Sequence, residues 1–176
     1  MGAKIFGAGK SVIEIEGVSK LNEAEHSIIS DRIVAGTYII GAIMLNKDLV
    51  VNNIQPEYLK TPIKILIKMG AKLYVGDNHI KIKSSQSIKG TKIITKPYPG
   101  FPTDLQAQMM ALMSIANGRS VIQEKIFENR FMHVSELNRL GADIIVKNDT
   151  AIINGNRTFK GAQVMASDLR ASVSLV

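Results

Sequence analysis

One order of short motifs, repeated along the chain, limits the possible folds more than any other feature. "MGAKIFG" opens at Met1, "MGAKLYVG" returns at Met69 and "LGADIIV" at Leu140. After each come an apolar segment, a polar turn, a second apolar segment, a loop, a third segment and then an aspartate. Gly2 leads to Asp31 in "SDRIVAGTYIIGAIM", Gly70 to Asp104 in "TDLQAQMMALMSIANG", and Gly141 to Asp168 in "SDLRASVSLV".

A single unit reads as follows. After Asp104, apolar Leu105, Met109, Leu112 and Met113 recur at helical spacing through Ile115, and Asn117-Gly118 supply a stop. "SVIQE" is rich in strand formers, "FENRFMH" is a loop, and "VSELNRLG" is a short helix closed by Gly141. "ADIIVK" and "AIING" flank the turn "NDT" as a hairpin, and "GAQVMAS" is a further strand. From Asp31 the same order gives a helix to Met44, strand "LVVNN", a helix from Leu59 to Met69, hairpin "AKLYVGDNHIKIK" and strand "TKIIT". Taken cyclically, this is a β-α-β-α-β-β unit. The helices over 32–44 and 105–117 are apolar with small residues, which predicts burial on most faces. The expected class is therefore α/β (α+β) and inside-out, with parallel helices wrapped by strands. By this reading 1–30 is the last hairpin of a first domain, 31–103 and 104–167 are two units of a second, and 168–176 starts a third unit. Continuation beyond both ends is expected.

Composition narrows the function classes. The 176 residues fit one domain or one and a piece, and 45% hydrophobic content is enough for a core. No apolar run approaches the roughly 18 residues of a membrane span, and "MGAKIFGAGK" lacks a signal-peptide core. No membrane partner and a cytoplasmic location are the expectation. Cysteine is absent, which removes disulfides, thiolate nucleophiles and cysteine metal sites. The net charge of +7 favours anionic partners, yet the lysines are scattered, tryptophan is absent and aromatics are 5%, so single-strand stacking platforms are poorly supplied. No nucleic-acid partner is expected. "GAGKS" at 7–11 lacks the first glycine of a phosphate loop and runs into a strand, so it reads as a hairpin turn.

The candidate chemistry lies in acids and arginines. Asp31, Asp104 and Asp168 follow Ser30, Thr103 and Ser167, and such pairs cap helices. If the three helices are parallel, their starts gather at one anion-attracting end, where a carboxylate can serve as general base. Arg32 and Arg170 follow two of these aspartates, and Arg130 sits in the "FENR" loop; arginine gives planar contacts to carboxylate or phosphate. Local pairing of Glu128 with Arg130 is the plain alternative. His26, His79 and His133 have no metal spacing, and His133 reads as a helix cap or packing residue.

"YPGFPTDLQAQ", "FENRFMHVSELNRLGADI" and "GAQVMASDLRAS" together resemble the UDP-N-acetylglucosamine enolpyruvyl transferases (1-carboxyvinyltransferases), and the resemblance covers the whole chain. The sister enolpyruvyl-shikimate-phosphate synthases share the fold but are less like these strings. The resemblance implies a two-domain protein of inside-out α/β barrels, each built from three βαβαββ units. It implies transfer of the enolpyruvyl group of phosphoenolpyruvate to the 3-hydroxyl of UDP-N-acetylglucosamine with release of phosphate. This is the first committed step of peptidoglycan synthesis, and it runs through a tetrahedral intermediate with no metal or organic cofactor. By resemblance Asp104 is the base beside the sugar hydroxyl, Arg130 and Arg170 hold phosphoenolpyruvate, and Ile126 gives a backbone contact to the nucleotide sugar. Asp168, Glu128 and Arg32 line the site. The family's early Lys-Asn pair, its Cys- or Asp-bearing loop with an Arg, and a late Arg have no counterpart here. The remainder of the same enzyme is thus an expected partner, and the 176 residues alone are expected not to turn over. The alternatives are a non-enzymatic βαβ-repeat module binding RNA or another anion, and a truncated gene product.

Overall fold

The computed structural model describes residues 1–85, 87–166 and 168–175. Strands β1 (Lys4–Phe6) and β2 (Glu14–Glu16) form an antiparallel hairpin with Lys4 opposite Glu16. "GAGKS" lies in its turn, as the missing glycine indicated.

The first unit opens with α1 (Arg32–Met44). Asp31 is itself the N-cap: its Oδ1 accepts the N–H groups of Ile33 at 2.7 Å and Val34 at 3.2 Å. Ser30, expected as the cap, instead donates to Gln55. Strand β3 (Leu49–Asn52) follows, then a 3-10 turn over Pro56–Leu59 that runs into α2 (Lys60–Met69). Pro62, Ile63, Leu66 and Met69 form the buried face of α2. Strands β4 (Lys72–Val75) and β5 (His79–Lys83) make the hairpin, and all three strands pair antiparallel in the order β3-β5-β4.

Next come β6 (Lys92–Ile94), a 3-10 turn over Thr103–Leu105, and α3 (Gln106–Ile115). Strand β7 (Arg119–Gln123), α4 (Val134–Arg139), β8 (Ile144–Lys147) and β9 (Thr150–Asn154) complete the second unit. Its sheet has the order β6-β7-β9-β8. Strand β6 ends the first unit in sequence, yet it pairs parallel with β7 of the second, with Ile93 beside Ile122.

The repeated Gly-Ala has a local cause. Gly70 and Gly141 end α2 and α4 with φ of 107° and 106°, a left-handed conformation that glycine adopts without a Cβ clash. Behind each, the alanine N–H returns to a helix carbonyl, Ala71 to Leu66 and Ala142 to Leu137. The repeat extends to the main chain. The carbonyls of Met1, Met69 and Leu140 accept the N–H groups of Asn22, Lys89 and Lys160 in turn.

Helix α3 is the centre of the core. Nine of its ten residues are buried, between α1, strands β7 and β9, and the turn over Ser172–Leu175. Helix α1 lies close against it, and a Cβ on Gly36 would sit 2.6 Å from Leu105 Cδ1. Gln108 Nε2 also donates to Thr37 Oγ1 at 3.0 Å. Burial on most faces thus holds for α3. In α1 seven of the thirteen residues are buried, against α3 and the β3-β5-β4 sheet, and one stripe stays open, with Val34 and Tyr38 exposed and Leu45 exposed just past its end.

Two further expectations differ. "GAQVMAS" forms no strand in its described residues, Gly161–Ala166. Its counterpart β6 is held by the parallel ladder of β7, and no strand follows residue 166 among the described residues to do the same. The segment after Asp168, expected to begin the third aspartate-led helix, is a turn and a 3-10 helix, Ser172–Leu175. Ser167 and Val176 lie outside the described residues.

Candidate active site

The three aspartates come together at one end of the helices, but their side chains differ in use. Asp31 caps α1, and Asp168 caps its own turn by accepting the N–H groups of Arg170 at 2.9 Å and Ala171 at 2.8 Å. Asp104 lies within the 3-10 turn and caps nothing; α3 has no side-chain cap. Its hydrogen bond comes from Arg130 Nη2 at 3.1 Å, and its side chain is 39% exposed. The carboxylate of Asp104 in "TDLQAQ" is therefore held by Arg130 and not by the helix.

Arg130 joins two of these acids. Besides Asp104, it pairs through Nη1 with Asp168 Oδ2 at 3.5 Å, and its guanidinium lies 5.5 Å from the Phe127 ring. Arg170 Nη1 stands 3.9 Å from Asp31 Oδ2. Residues from three distant motifs are thus linked: Asp104 from "FPTD", Arg130 from "FENR", and Asp168 from "SDLR". The local Glu128–Arg130 pair is not formed. Glu128 is exposed and makes no hydrogen bond or ion pair among the described residues.

The N–H of Ala171 holds the Asp168 carboxyl below the usual carboxylate range; burial opposes this, and Arg130, the Arg170 N–H and His133 reinforce it. His133 is 2% exposed and stands at the start of α4 without capping it. Burial pushes its imidazole down to about 4, with Asp168 acting upward and Arg130 downward. It is a buried neutral histidine, in line with packing rather than capping. Among the described residues no group of acids and histidines could hold a metal ion.

Arg32 faces a neighbouring cleft of about 500 Å³ lined by Asp31, Tyr58, Tyr98 and Asp104. Its guanidinium lies 5.2 Å from the Tyr98 ring and donates to the Tyr58 carbonyl at 3.4 Å. Ile126 opens the FENR loop, and its N–H donates to Glu124 at 2.8 Å. For a ligand, its backbone offers the carbonyl.

Glu124 was not singled out in the sequence. It is 3% exposed and accepts four hydrogen bonds, from Thr95, Thr103, Ile126 and Phe127. A signal was present: Ser120, Ile122 and Glu124 fall on one face at the strand period of two, so the acid points where the core residues point.

This arrangement sits in a known fold. The family described as EPSP synthase (3-phosphoshikimate 1-carboxyvinyltransferase) matches residues 1–176, and the chain belongs to this family. Within it, the chain is 52% identical over 176 residues to the UDP-N-acetylglucosamine 1-carboxyvinyltransferase of Pelagibacter ubique (strain HTCC1062) and 50% identical to that of Desulfosudis oleivorans (strain DSM 6200 / JCM 39069 / Hxd3). The match takes in 100% of this chain and 42% of each relative. The crystal structure of the enolpyruvyl transferase NikO from Streptomyces tendae superposes with a TM-score of 0.84 at 24% identity, over 99% of this chain and 42% of that one. EPSP synthase from Acinetobacter baumannii gives 0.72 at 21%, over 98% and 44%. The inside-out α/β fold expected from the repeat is the fold of these neighbours.

Proposed function

We propose that this chain is part of an enzyme that transfers the enolpyruvyl group of phosphoenolpyruvate to the 3-hydroxyl of UDP-N-acetylglucosamine, releasing phosphate, in peptidoglycan synthesis. The observation that carries this is the meeting of Asp104, Arg130 and Asp168 at one end of the helices, with Asp104 free of any capping role. The names of relatives about half identical over the whole chain support it.

In this reading Asp104 accepts the proton of the sugar hydroxyl as its oxygen bonds to C2 of phosphoenolpyruvate. A general acid outside these 176 residues protonates C3. Loss of phosphate and of a C3 proton restores the double bond. Arg130 and Arg170 orient the phosphoenolpyruvate, the carbonyl of Ile126 meets the nucleotide sugar, and Asp168 holds Arg130. Arg32 and Glu128 line the approach. The partners are the two small molecules and the remainder of the enzyme, not nucleic acid or membrane, and the work is done in the cytoplasm. The described residues have no helix long and apolar enough to cross a membrane.

The test is phosphate release by the full-length enzyme given both substrates. Asp104→Asn should lower kcat by about 10²–10⁴-fold, the usual contribution of a positioned base. The 176 residues by themselves should release no phosphate. Full activity of Asp104→Asn would remove the assignment.

A further inference from the structure

We propose that Glu124 is a positioning residue: a buried carboxylate that fixes Asp104 and the Arg130 loop relative to one another. This rests on the function proposed above. Glu124 Oε1 accepts the Thr95 hydroxyl at 2.8 Å and the N–H groups of Ile126 at 2.8 Å and Phe127 at 3.2 Å. Its Oε2 accepts the Thr103 hydroxyl at 2.8 Å.

These donors belong to three separate segments, and each leads to the site. Thr95 follows β6. Thr103 directly precedes Asp104. Ile126 and Phe127 open the loop that carries Arg130. Thr95 closes the network, because its hydroxyl also accepts the Lys125 N–H at 2.8 Å. Lys125 itself turns outward to pair with Asp149 at 2.6 Å. No cation pairs with Glu124 among the described residues, so hydroxyls and main-chain N–H groups alone compensate its burial.

A carboxylate is a costly way to fill a core position, and an apolar residue at the end of β7 would pack there without desolvation. What an apolar residue could not do is tie the turn before Asp104 to the loop before Arg130. Among the described residues the two are otherwise joined by one hydrogen bond, Arg130 to Asp104. Orientation errors of an ångström can cost about 10²-fold in rate, which is the scale at issue here.

The amide introduced by Glu124→Gln would keep the geometry: its oxygen can take the three donors that now meet Oε1, and its NH2 can donate to Thr103 Oγ1. The experiment therefore compares Glu124→Gln, Glu124→Ala and Thr103→Val in the full-length enzyme, by steady-state kinetics and by amide hydrogen exchange at Ile126 and Phe127. Glu124→Ala should lower kcat about 10²-fold and speed exchange at both amides. Glu124→Gln should restore kcat to within about threefold and restore slow exchange. Thr103→Val keeps the side-chain shape and removes one tether; it should lower kcat about tenfold while leaving the KM for phosphoenolpyruvate unchanged.

Folded Glu124→Ala and Thr103→Val enzymes with kcat within about twofold of the parent would overturn the proposal. So would a Glu124→Gln enzyme as slow as Glu124→Ala, since the role would then be charge and not position. If Glu124→Ala fails to fold, the other two variants decide. If the unaltered enzyme itself releases no phosphate, the function reading fails, and exchange at Ile126 and Phe127 still decides whether Glu124 holds the loop.

Discussion

Lowering the pH should loosen this fold through His133. The imidazole is buried, Nε2 finds no partner among the described residues, and the groups acting on it are Asp168 and Arg130. Its pKa falls from 6.5 to about 4. A group whose folded pKa lies below its unfolded value binds more protons when unfolded, so stability falls as pH falls through the window between the two. The full difference corresponds to about 3 kcal/mol, of which about 2 kcal/mol should be lost between about pH 7.5 and pH 5. Asp168, also held low, contributes in the same sense but only below its usual value of 3.8, outside that range. Urea unfolding at the two pH values measures the loss, and His133→Leu should abolish most of it. A native chain whose pH dependence equals that of His133→Leu would refute the argument, as would an NMR titration placing His133 near 6.5.

Three further outcomes follow from packing and capping. Asp31→Ala should cost about 1 kcal/mol of stability by removing the α1 cap, whereas Asp104→Asn should stay within about 0.5 kcal/mol because it caps nothing; equal losses in urea titrations would contradict the division of roles. Gly36→Ala should destabilise by about 1–2 kcal/mol, since crowding against Leu105 exceeds the gain in helix propensity; a raised melting temperature would mean that α1 can shift away from α3. Gly70→Ala places a Cβ at positive φ and 2.8 Å from the Ser87 carbonyl, and should cost about 1–2 kcal/mol or more by the same assay.

Much of the fold was legible because each element carries its own signal. The ends of α1 at Arg32 and Met44 follow from a capping aspartate and an unbroken apolar run, and Gly70 and Gly141 mark helix ends by their conformation alone. The strand expected at "GAQVMAS" was misread because strand character depends on a partner, and composition cannot supply one. The candidate site was legible as residue types in motifs, and Asp104, Arg130 and Asp168 do lie together. Which aspartate caps and which stays free was not, because that depends on the 3-10 geometry at Thr103–Leu105. Glu124 stayed hidden because charged residues are read as surface unless strand parity is followed past the strand's last residue.

The linked acids and arginines also set a charge balance. Asp31, Asp104 and Asp168 meet Arg130 and Arg170, which leaves one negative charge in excess. The starts of α1 and α3 return about half a positive charge each, which offsets that excess. Arg32, beside the uncharged Tyr98 ring, adds one positive charge to the cleft it shares with Asp31 and Asp104. A multiply charged anion would find a surplus of only about one positive charge here, at Arg32. Neutralising the rest of its charge requires either cations contributed from outside these residues or the release of Arg130 from its carboxylates, and affinity should then track the arrival of that outside charge.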